Sequence, residues 1–353
     1  MAKPRISVLI DTYNHERYIE QAIVSVLEQD FPPAETEVLV VDDGSTDCTP
    51  EIVRKFEPRV RLLRKANGGQ ASAFNAAIPE TTAPLVAFLD GDDWWAKEKL
   101  TAVAQAFDAD PDIPAVGHGF YEVYDGEPRI LMVPKKACRI SIDNLEETRI
   151  STVAKSFIAT SKLTVRRSVL DRVGKIPDQL VLCADEPILN AALALGGALL
   201  LDRPLCYYRY HSNNQFGFDS RDLAPNKRKH MVQVCITEYL PNLLARFGVS
   251  PEASEILVQR HKVDMARFEG LHGAGGRLQV FRAEARNFRA EFKNPSAGYL
   301  LFKAAVAALT LILPPARFYQ VRDWYGKRDL SRFREAVGTA EHTYPEMYKR
   351  VPL

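Results

Sequence analysis

Cysteine is scarce in this 353-residue chain, and the five that occur, Cys48, Cys138, Cys183, Cys206 and Cys235, are scattered. None forms a Cys-x-x-Cys pair, which removes the usual zinc sites and any disulfide framework. They are expected to be reduced thiols, mostly buried, in the cytosol. Net charge is missing too. The 46 basic and 45 acidic side chains leave +1, so there is no electrostatic case for nucleic acid as the main partner. No apolar run is long enough to span a bilayer. The most apolar segment, YLLFKAAVAALTLILPPA (Tyr299 to Ala316), is too short and carries Lys303. The start, MAKPRISVLI, breaks into DTYNHERY before it builds the apolar core of a signal peptide, so a first strand and a soluble start are expected. No Gly-x-Gly-x-x-Gly follows that strand, which speaks against a nicotinamide enzyme.

What is present is an alternation of strand and helix patterns. RISVLI reads as a strand. ERYIEQAIVSVLEQ has apolar Ile19, Ala22, Ile23, Val26 and Leu27 at helical spacing. EVLVVDD is a continuous apolar strand of the kind buried on both faces. DCTPEIVRKF is the next helix, with Thr49 at its N-cap and Pro50 at the first helical position. RVRLLRK and LVAFLD are further strands, with GQASAFNAAI as the helix between them. This β-α-β-α-β-α-β order predicts an α/β fold with a parallel sheet and helices on both faces. Such sheets bind ligands at the carboxyl ends of their strands.

Those ends carry polar residues in every case. The first strand ends in Asp11-Thr12-Tyr13-Asn14 and the second in Asp42-Asp43-Gly44-Ser45-Thr46-Asp47. The third leads to Asn67-Gly68-Gly69-Gln70 and the fourth ends in Asp90-Gly91-Asp92-Asp93. One such end is an ordinary turn; four on one sheet edge point to a site. Carboxylates repel a diphosphate unless a divalent cation lies between them. Mg²⁺ or Mn²⁺ would take one or two carboxylates plus substrate phosphates. Asp90 and Asp92 are two apart, so in an extended segment they point the same way, and Gly91 lets a ligand approach the backbone.

In this order and spacing, SVLIDTYN, VLVVDDGSTD, NGGQASAFNAAI and FLDGDDWW resemble the inverting glycosyltransferases of family 2. The resemblance covers Arg5 to Asn214. It implies the GT-A fold, a Rossmann-like, mainly parallel sheet flanked by helices. It also implies transfer of a sugar from a nucleotide-diphosphate donor, with UDP favoured, by a metal-dependent hexosyltransferase. By the same resemblance Thr12 and Tyr13 pack the nucleotide base. Asp43 accepts from the base and its neighbour Asp42 serves the ribose. Asp92 would be the direct metal ligand, with Asp90 near the ribose or a metal-bound water. Asn14, Asn67, Gly69, Gln70 and Asn75 fall in the donor-binding motifs. Two positions depart from the pattern. Asp11 stands where family members mostly have proline, and Phe74 where many have arginine before the asparagine matched by Asn75. If that arginine helps hold the donor, Arg64 or Lys65 would have to take over.

Inverting transfer needs a base to take the proton of the acceptor hydroxyl. The family carries an acidic pair, often Glu-Asp, at the start of a helix; here LCADEPILNAALALGG has Asp185-Glu186. Either can occupy the base position, with Asp185 preferred. Tyr-Arg-x-His-x-x-Asn then recurs in YYRYHSNN, which gives His211 a metal or diphosphate role and Arg209 a supporting one. Trp94 and Trp95 either wall the sugar or acceptor site or anchor the next helix, and packing is expected for at least one.

From Asp219 no strand pattern survives, so the division expected is a catalytic domain over 1–215 and a helical region over 216–353. Residues 299–328 join an apolar helix to Pro-Pro and an Arg/aromatic stretch. That composition suits either packing against protein or peripheral contact with a membrane surface. The expected setting is cytoplasmic synthesis of cell-envelope polysaccharide or lipid-linked glycan, with a glycan or lipid-linked acceptor, on the inner face of the membrane if the contact is made. Two other classes fit this pattern less well. A sugar nucleotidyltransferase would need a Gly-rich, basic N-terminal signature that SVLIDTYNHERY lacks. A non-catalytic nucleotide-sugar binding protein would have no use for Asp185 and Glu186.

Overall fold

The structure, a computed structural model, describes residues 3–211, 223–271, 276–291, 297–314, 317–318 and 347–353. The N-terminal alternation folds as its pattern dictates. Strand β1 (Ile6–Thr12) is followed by helix α1 (Ile19–Leu27), β2 (Thr36–Asp42), α2 (Thr49–Arg54), β3 (Arg61–Arg64), α3 (Gln70–Ala77) and β4 (Leu85–Asp90). These four strands pair in parallel in the order β3-β2-β1-β4. Ile6, Val8, Leu9 and Ile10 are fully buried, as a strand covered on both faces requires. Helix α1 turns Ile19, Ala22, Ile23 and Val26 into the core. Phe74 is also core: its ring meets Phe88 at 5.0 Å between centroids, so the position that the family fills with arginine is apolar packing here.

The rest of the sheet is antiparallel in large part, which the helix-strand alternation did not reveal. Strand β5 (Trp94–Trp95), α4 (Lys99–Ala109), β6 (Ala115–Tyr124), β7 (Glu127–Pro134), β8 (Cys138–Ile140), α5 (Leu145–Ala154), β9 (Thr164–Arg166), α6 (Arg167–Val173), α7 (Asp185–Ala194) and β10 (Ala198–Tyr210) follow. Strand β9 joins the halves, antiparallel to both β4 and β6. Strand β10 runs parallel to β6 and antiparallel to β5 and β8. The sheet is therefore mixed, with helices α1 to α7 packed about it.

Helices α8 (Leu223–Arg246) and α9 (Pro251–Leu271) share the main core through Val232, Ile236, Leu240, Leu244 and Leu257. Helices α10 (Arg277–Glu291) and α11 (Ala297–Ile312) build a small separate cluster around Val280 and Phe318. Residues 315–316 and 319–328 of the Arg/aromatic stretch lie outside the described residues. Three expectations are corrected. A last strand, β11 (Tyr348–Pro352), returns to pair antiparallel with β7. None of its residues is buried: main-chain pairing, the Tyr348 ring against Phe157 (5.7 Å) and Arg350 on Glu122 (3.2 Å) hold it, which leaves no hydrophobic alternation in the sequence. Thr49 is the first residue of α2 rather than its cap; its hydroxyl accepts the His15 amide while Asp47 accepts the Thr49 amide. Finally, only Cys183 and Cys206 are buried; Cys48 is exposed. Trp95 is the packing tryptophan, buried with its indole N–H on the Ser161 carbonyl at 2.7 Å.

Gly69 shows how tightly the loops are set. It has φ +85°, and a Cβ there would lie 2.5 Å from the Val181 Cα. The amides of Gln70 and Ala71 donate to the carbonyls of Val181 and Leu180. Gly69→Ala is expected to cost about 1–3 kcal/mol, read as a lowered urea midpoint at constant slope.

Candidate active site

The site grows from two adjacent strand ends. Parallel pairing sets Asp11 of β1 beside Asp90 of β4, so both carboxylates leave the same side of the sheet. The chain then turns: Gly91 donates to the Asp11 carbonyl at 2.8 Å and Asp93 donates back to the Asp90 carbonyl at 3.0 Å. The segment is a turn and not extended, which corrects the reason given for Asp90 and Asp92 facing one way. Gly91 is small because Thr12 Oγ1 and His15 Nδ1 lie 2.8 and 2.9 Å from where its Cβ would be.

Each carboxylate has its own environment. Asp90 accepts from Gln70 Nε2 (3.1 Å) and Ser161 Oγ (3.2 Å). Gln70 also reaches Asp11 Oδ2 at 3.4 Å and accepts the Ala184 amide at 3.0 Å, tying β1, β4 and the start of α7 together. Asp92 Oδ2 meets His211 Nε2 at 3.0 Å and lies 3.9 Å from His15 Nε2. Asp93 is buried and accepts the Arg209 amide at 2.8 Å. Burial, then the charge of Asp92, pushes Asp11 up to about 7 and Asp93 up to about 7. Burial, then Asp11, pushes Asp90 well above the usual range. Asp92 goes the other way: burial raises it, but the His211 hydrogen bond and the His15 charge outweigh burial and hold it low.

Asp11 Oδ1 and Asp93 Oδ2 are sealed from solvent without a hydrogen-bond partner. Unpaired buried carboxylate oxygens in a crowded anionic cluster suit a hard divalent cation. Yet among the described residues no group of three or more His, Cys, Asp or Glu side chains converges on one point. The donor set fits an ion held by one or two protein ligands and completed by a substrate's phosphates, rather than a closed protein cage.

The acidic pair of α7 divides. Asp185 accepts the Thr160 amide at 2.9 Å, and its charge acts on Asp11 and Asp90. Burial, then Glu186, raises its pKa. Glu186 instead binds Lys155 Nζ (2.8 Å) and Asn190 Nδ2 (2.8 Å), with His261 of α9 at 3.7 Å. Burial alone would raise it, but Lys155 and His261 outweigh burial and hold it at about 2. Glu186 is thus an anchored anion turned toward the helical region. Cys183, with φ +59°, makes the left-handed bend that starts this helix.

On the β2 side the polar residues mainly hold one another. Asp43 accepts from Lys65 Nζ (2.6 Å) and from the amides of Gly68 (3.0 Å) and Gly69 (2.7 Å). Asp42 accepts the Ser45 amide and pairs with Arg64 Nε at 3.0 Å. Arg64 and Lys65 are therefore engaged on these two carboxylates. Asn67 donates to the Asp43 carbonyl, and Asn14 accepts the Thr46 amide. Thr12 is buried and Tyr13 half-buried beside them. Asn75 lies apart: its amide is taken up at both ends by Ile176 and Asp178, so it braces that loop. At the end of β10, Arg209 lies between the rings of Tyr18 (4.5 Å) and Trp94 (4.6 Å), and Trp94 stacks on Tyr207. His211 packs on Tyr18, with centroids 4.8 Å apart. The structure brings Gln70, Asp90, Gly91, Asp92, Arg209 and His211 together around the turn after β4. His15, Tyr18, Lys155, Ser161 and His261 were missed. A lone serine, lysine or histidine has no motif of its own and acquires its place only through tertiary contact.

Residues 7–174 match the family model described as "Glycosyl transferase family 2". An uncharacterized glycosyltransferase of Nostoc sp. is 32% identical over 251 residues, 69% of this chain and 77% of that protein. The poly(ribitol-phosphate) beta-N-acetylglucosaminyltransferase TarS of Staphylococcus aureus is 40% identical over 108 residues, 30% of this chain but 19% of that protein. The crystal structure of TarS 1-349 in complex with UDP-GlcNAc superposes with TM-score 0.53 at 22% identity, covering 81% of this chain and 89% of that one. The shared fold is GT-A.

The raised carboxyl of Asp11 makes a pH prediction. Its folded value of about 7 lies above its ordinary 3.8, so its contribution to stability is full at low pH and is lost as pH rises through about 7. In EDTA, Asp11→Asn is expected to be more stable than wild type at about pH 8, by on the order of 1–3 kcal/mol. That gap should narrow as pH falls from about 7 and close only below about pH 4, as followed by chemical denaturation at each pH.

Proposed function

Because the chain belongs to glycosyltransferase family 2, we propose that it is an inverting, metal-dependent enzyme that moves a sugar from a nucleoside-diphosphate sugar to a hydroxyl acceptor. The observation that carries this reading is the crowded cluster of Asp11, Asp90, Asp92 and Asp93 facing Asp185, a separate carboxyl whose pKa is raised. Asp92, with Asp90 and His211 at hand, would hold Mn²⁺ or Mg²⁺. When bound, that ion would neutralise the diphosphate as it leaves. Thr12, Tyr13, Asp42 and Asp43 would receive the nucleoside. The loop of Asn67, Gly69 and Gln70 would close over it from the other side.

Asp185 is the base of this proposal. A raised pKa brings a carboxylate closer to the working pH and makes it a better proton acceptor. It would take the acceptor hydroxyl's proton as that oxygen attacks the anomeric carbon. Glu186, held at about 2 by Lys155 and His261, is a poor base and would remain a fixed charge beside it. The Thr160 amide on Asp185 keeps one carboxylate oxygen oriented. Trp94 and Arg209 would line the mouth beside the metal.

A UDP-sugar is the favoured donor. Support comes from the residue pattern and from the UDP-GlcNAc in the TarS structure. Synthesis of a cell-envelope glycan is the favoured setting. TarS is named for a poly(ribitol-phosphate) acceptor, and a further relative, 35% identical over 116 residues, is the chondroitin synthase of Pasteurella multocida.

The test is thermal stability against UDP, GDP and TDP, each with and without Mn²⁺. A nucleotide at about a hundred times its dissociation constant adds about 2.7 kcal/mol. Stabilisation by UDP that needs Mn²⁺ and disappears in Asp92→Asn is the expected result. Asp185→Asn should keep that stabilisation and lose sugar transfer by about a thousandfold or more, whereas Glu186→Gln should retain a measurable rate. No effect of any nucleotide on the folded protein would overturn the donor site.

A further inference from the structure

Helix α1 begins after a residue that does not cap it. N-cap positions favour Ser, Thr, Asp or Asn, whose side-chain oxygens take up the first free amides of the helix. Here the position is held by Tyr18, and its side chain makes no capping bond. The turn is closed by backbone instead: the amides of Tyr18 (2.8 Å) and Ile19 (2.9 Å) donate to the His15 carbonyl. The half-buried Tyr18 ring turns to the end of β10. It packs on the His211 imidazole with centroids 4.8 Å apart, and the Arg209 guanidinium lies over it at 4.5 Å. A local rule broken without local gain is expected where a residue serves a functional site.

The end of β10 needs such a support. Its ladder with β6 stops at Tyr210 opposite Tyr124, so His211 lies one residue beyond the last paired position. Strand pairing therefore does not fix its imidazole, yet Nε2 meets Asp92 Oδ2 at 3.0 Å. Arg209 is held more firmly. Its amide donates to Asp93 (2.8 Å), Nη2 donates to Gln21 Oε1 of α1 (2.6 Å), and the guanidinium lies over Trp94 at 4.6 Å. Trp94 stacks on Tyr207 and Tyr207 on Tyr121, each pair 4.9 Å apart. Planar groups thus touch in sequence from Tyr121, on the sheet, to His211, at Asp92. Tyr18 is the member of this row that joins His211 to Arg209.

We propose that Tyr18 is a positioning residue of the cation site: its ring holds the His211 imidazole with Nε2 facing Asp92 and so sets the affinity for the divalent cation. This role rests on the reading of Asp92 and His211 as groups that hold that cation. Groups that orient a ligand without touching the ion are worth about 10–100-fold in affinity. The ring face is the working part. The Tyr18 hydroxyl makes no hydrogen bond among the described residues, whereas both neighbours meet the ring itself. An aromatic face gives a flat imidazole contact over its whole area and offers a guanidinium its negative quadrupole, which an aliphatic side chain does not.

The test is Mn²⁺ binding by the full chain in the presence of UDP, read as loss of the electron paramagnetic resonance signal of free Mn²⁺. Tyr18→Leu is expected to weaken binding about tenfold. Tyr18→Phe keeps the ring and should stay within about twofold of wild type. His211→Ala should weaken binding at least as much as Tyr18→Leu, and adding Tyr18→Leu to it should cost nothing further, because the ring acts through the imidazole. If Tyr18→Leu does not fold, Tyr18→Met has bulk without a planar face and carries the same expectation. Wild-type affinity in Tyr18→Leu, an equal loss in Tyr18→Phe, or a further loss of about tenfold on top of His211→Ala would overturn the role of Tyr18 and leave the cation site standing. A wild type that binds no Mn²⁺ with UDP would overturn the cation site, and this role with it.

Discussion

Parallel pairing of β1 with β4 places Asp11 and Asp90 side by side, and the turn after β4 adds Asp92 and Asp93. Like charges this close, out of water, cannot all be ionised at once without a counter-charge. Much of the surrounding structure answers that constraint. Gln70 places its amide N–H groups on Asp11 and Asp90, Ser161 serves Asp90, and His211 serves Asp92. What these groups leave uncompensated is carried as protons, which is why Asp11 and Asp93 move up to about 7. The same deficit would be met by a divalent cation and its diphosphate.

The site also explains why the helical region cannot be treated as an appendage. Glu186 begins the same helix as Asp185, and its carboxylate is held by Lys155 and faced by His261 from α9. The main hydrophobic core runs without a break from the sheet into α8 and α9. Removing those helices would expose that core and take His261 away from the anion next to Asp185. Helices α10 and α11 are different. They rest on a small cluster of their own and turn an apolar face outward. The division with physical meaning within the helical region falls between α9 and α10.

Two residue choices set this chain apart from the pattern it resembles, and the structure accounts for both in part. Phe74 replaces the frequent arginine and packs on Phe88, so no donor-binding cation is available there. Arg64 and Lys65, the nearby cations, are spent on Asp42 and Asp43. Asp11, where proline is usual, adds a carboxylate to an already anionic edge, and its Oδ1 has no partner.

The sequence by itself determined the parallel half of the sheet, because strands buried on both faces need unbroken apolar runs and their helices need 3.6-residue periodicity. It also placed Gln70, Asp90 and Asp92 near one edge, because parallel topology delivers strand ends to the same side, whereas Arg209 and His211 were legible only through the resemblance to the family pattern. Tertiary structure alone decided the rest. The order Asp185-Glu186 says nothing of which carboxylate faces the site; Lys155 and His261, 31 and 75 residues away, decide it by capturing Glu186. Asn75 looks like a ligand in a motif and is a brace for the loop at Ile176 because its two hydrogen-bonding ends find that loop first. Strand β11 leaves no alternating pattern because it is held at an edge by main-chain bonds and by two side-chain contacts, Tyr348 on Phe157 and Arg350 on Glu122, with no buried residue of its own. Which face of α11 is covered is likewise absent from its composition: apolar residues surround that helix, and only packing against Val280 and Phe318 leaves Leu301 and Ile312 outside.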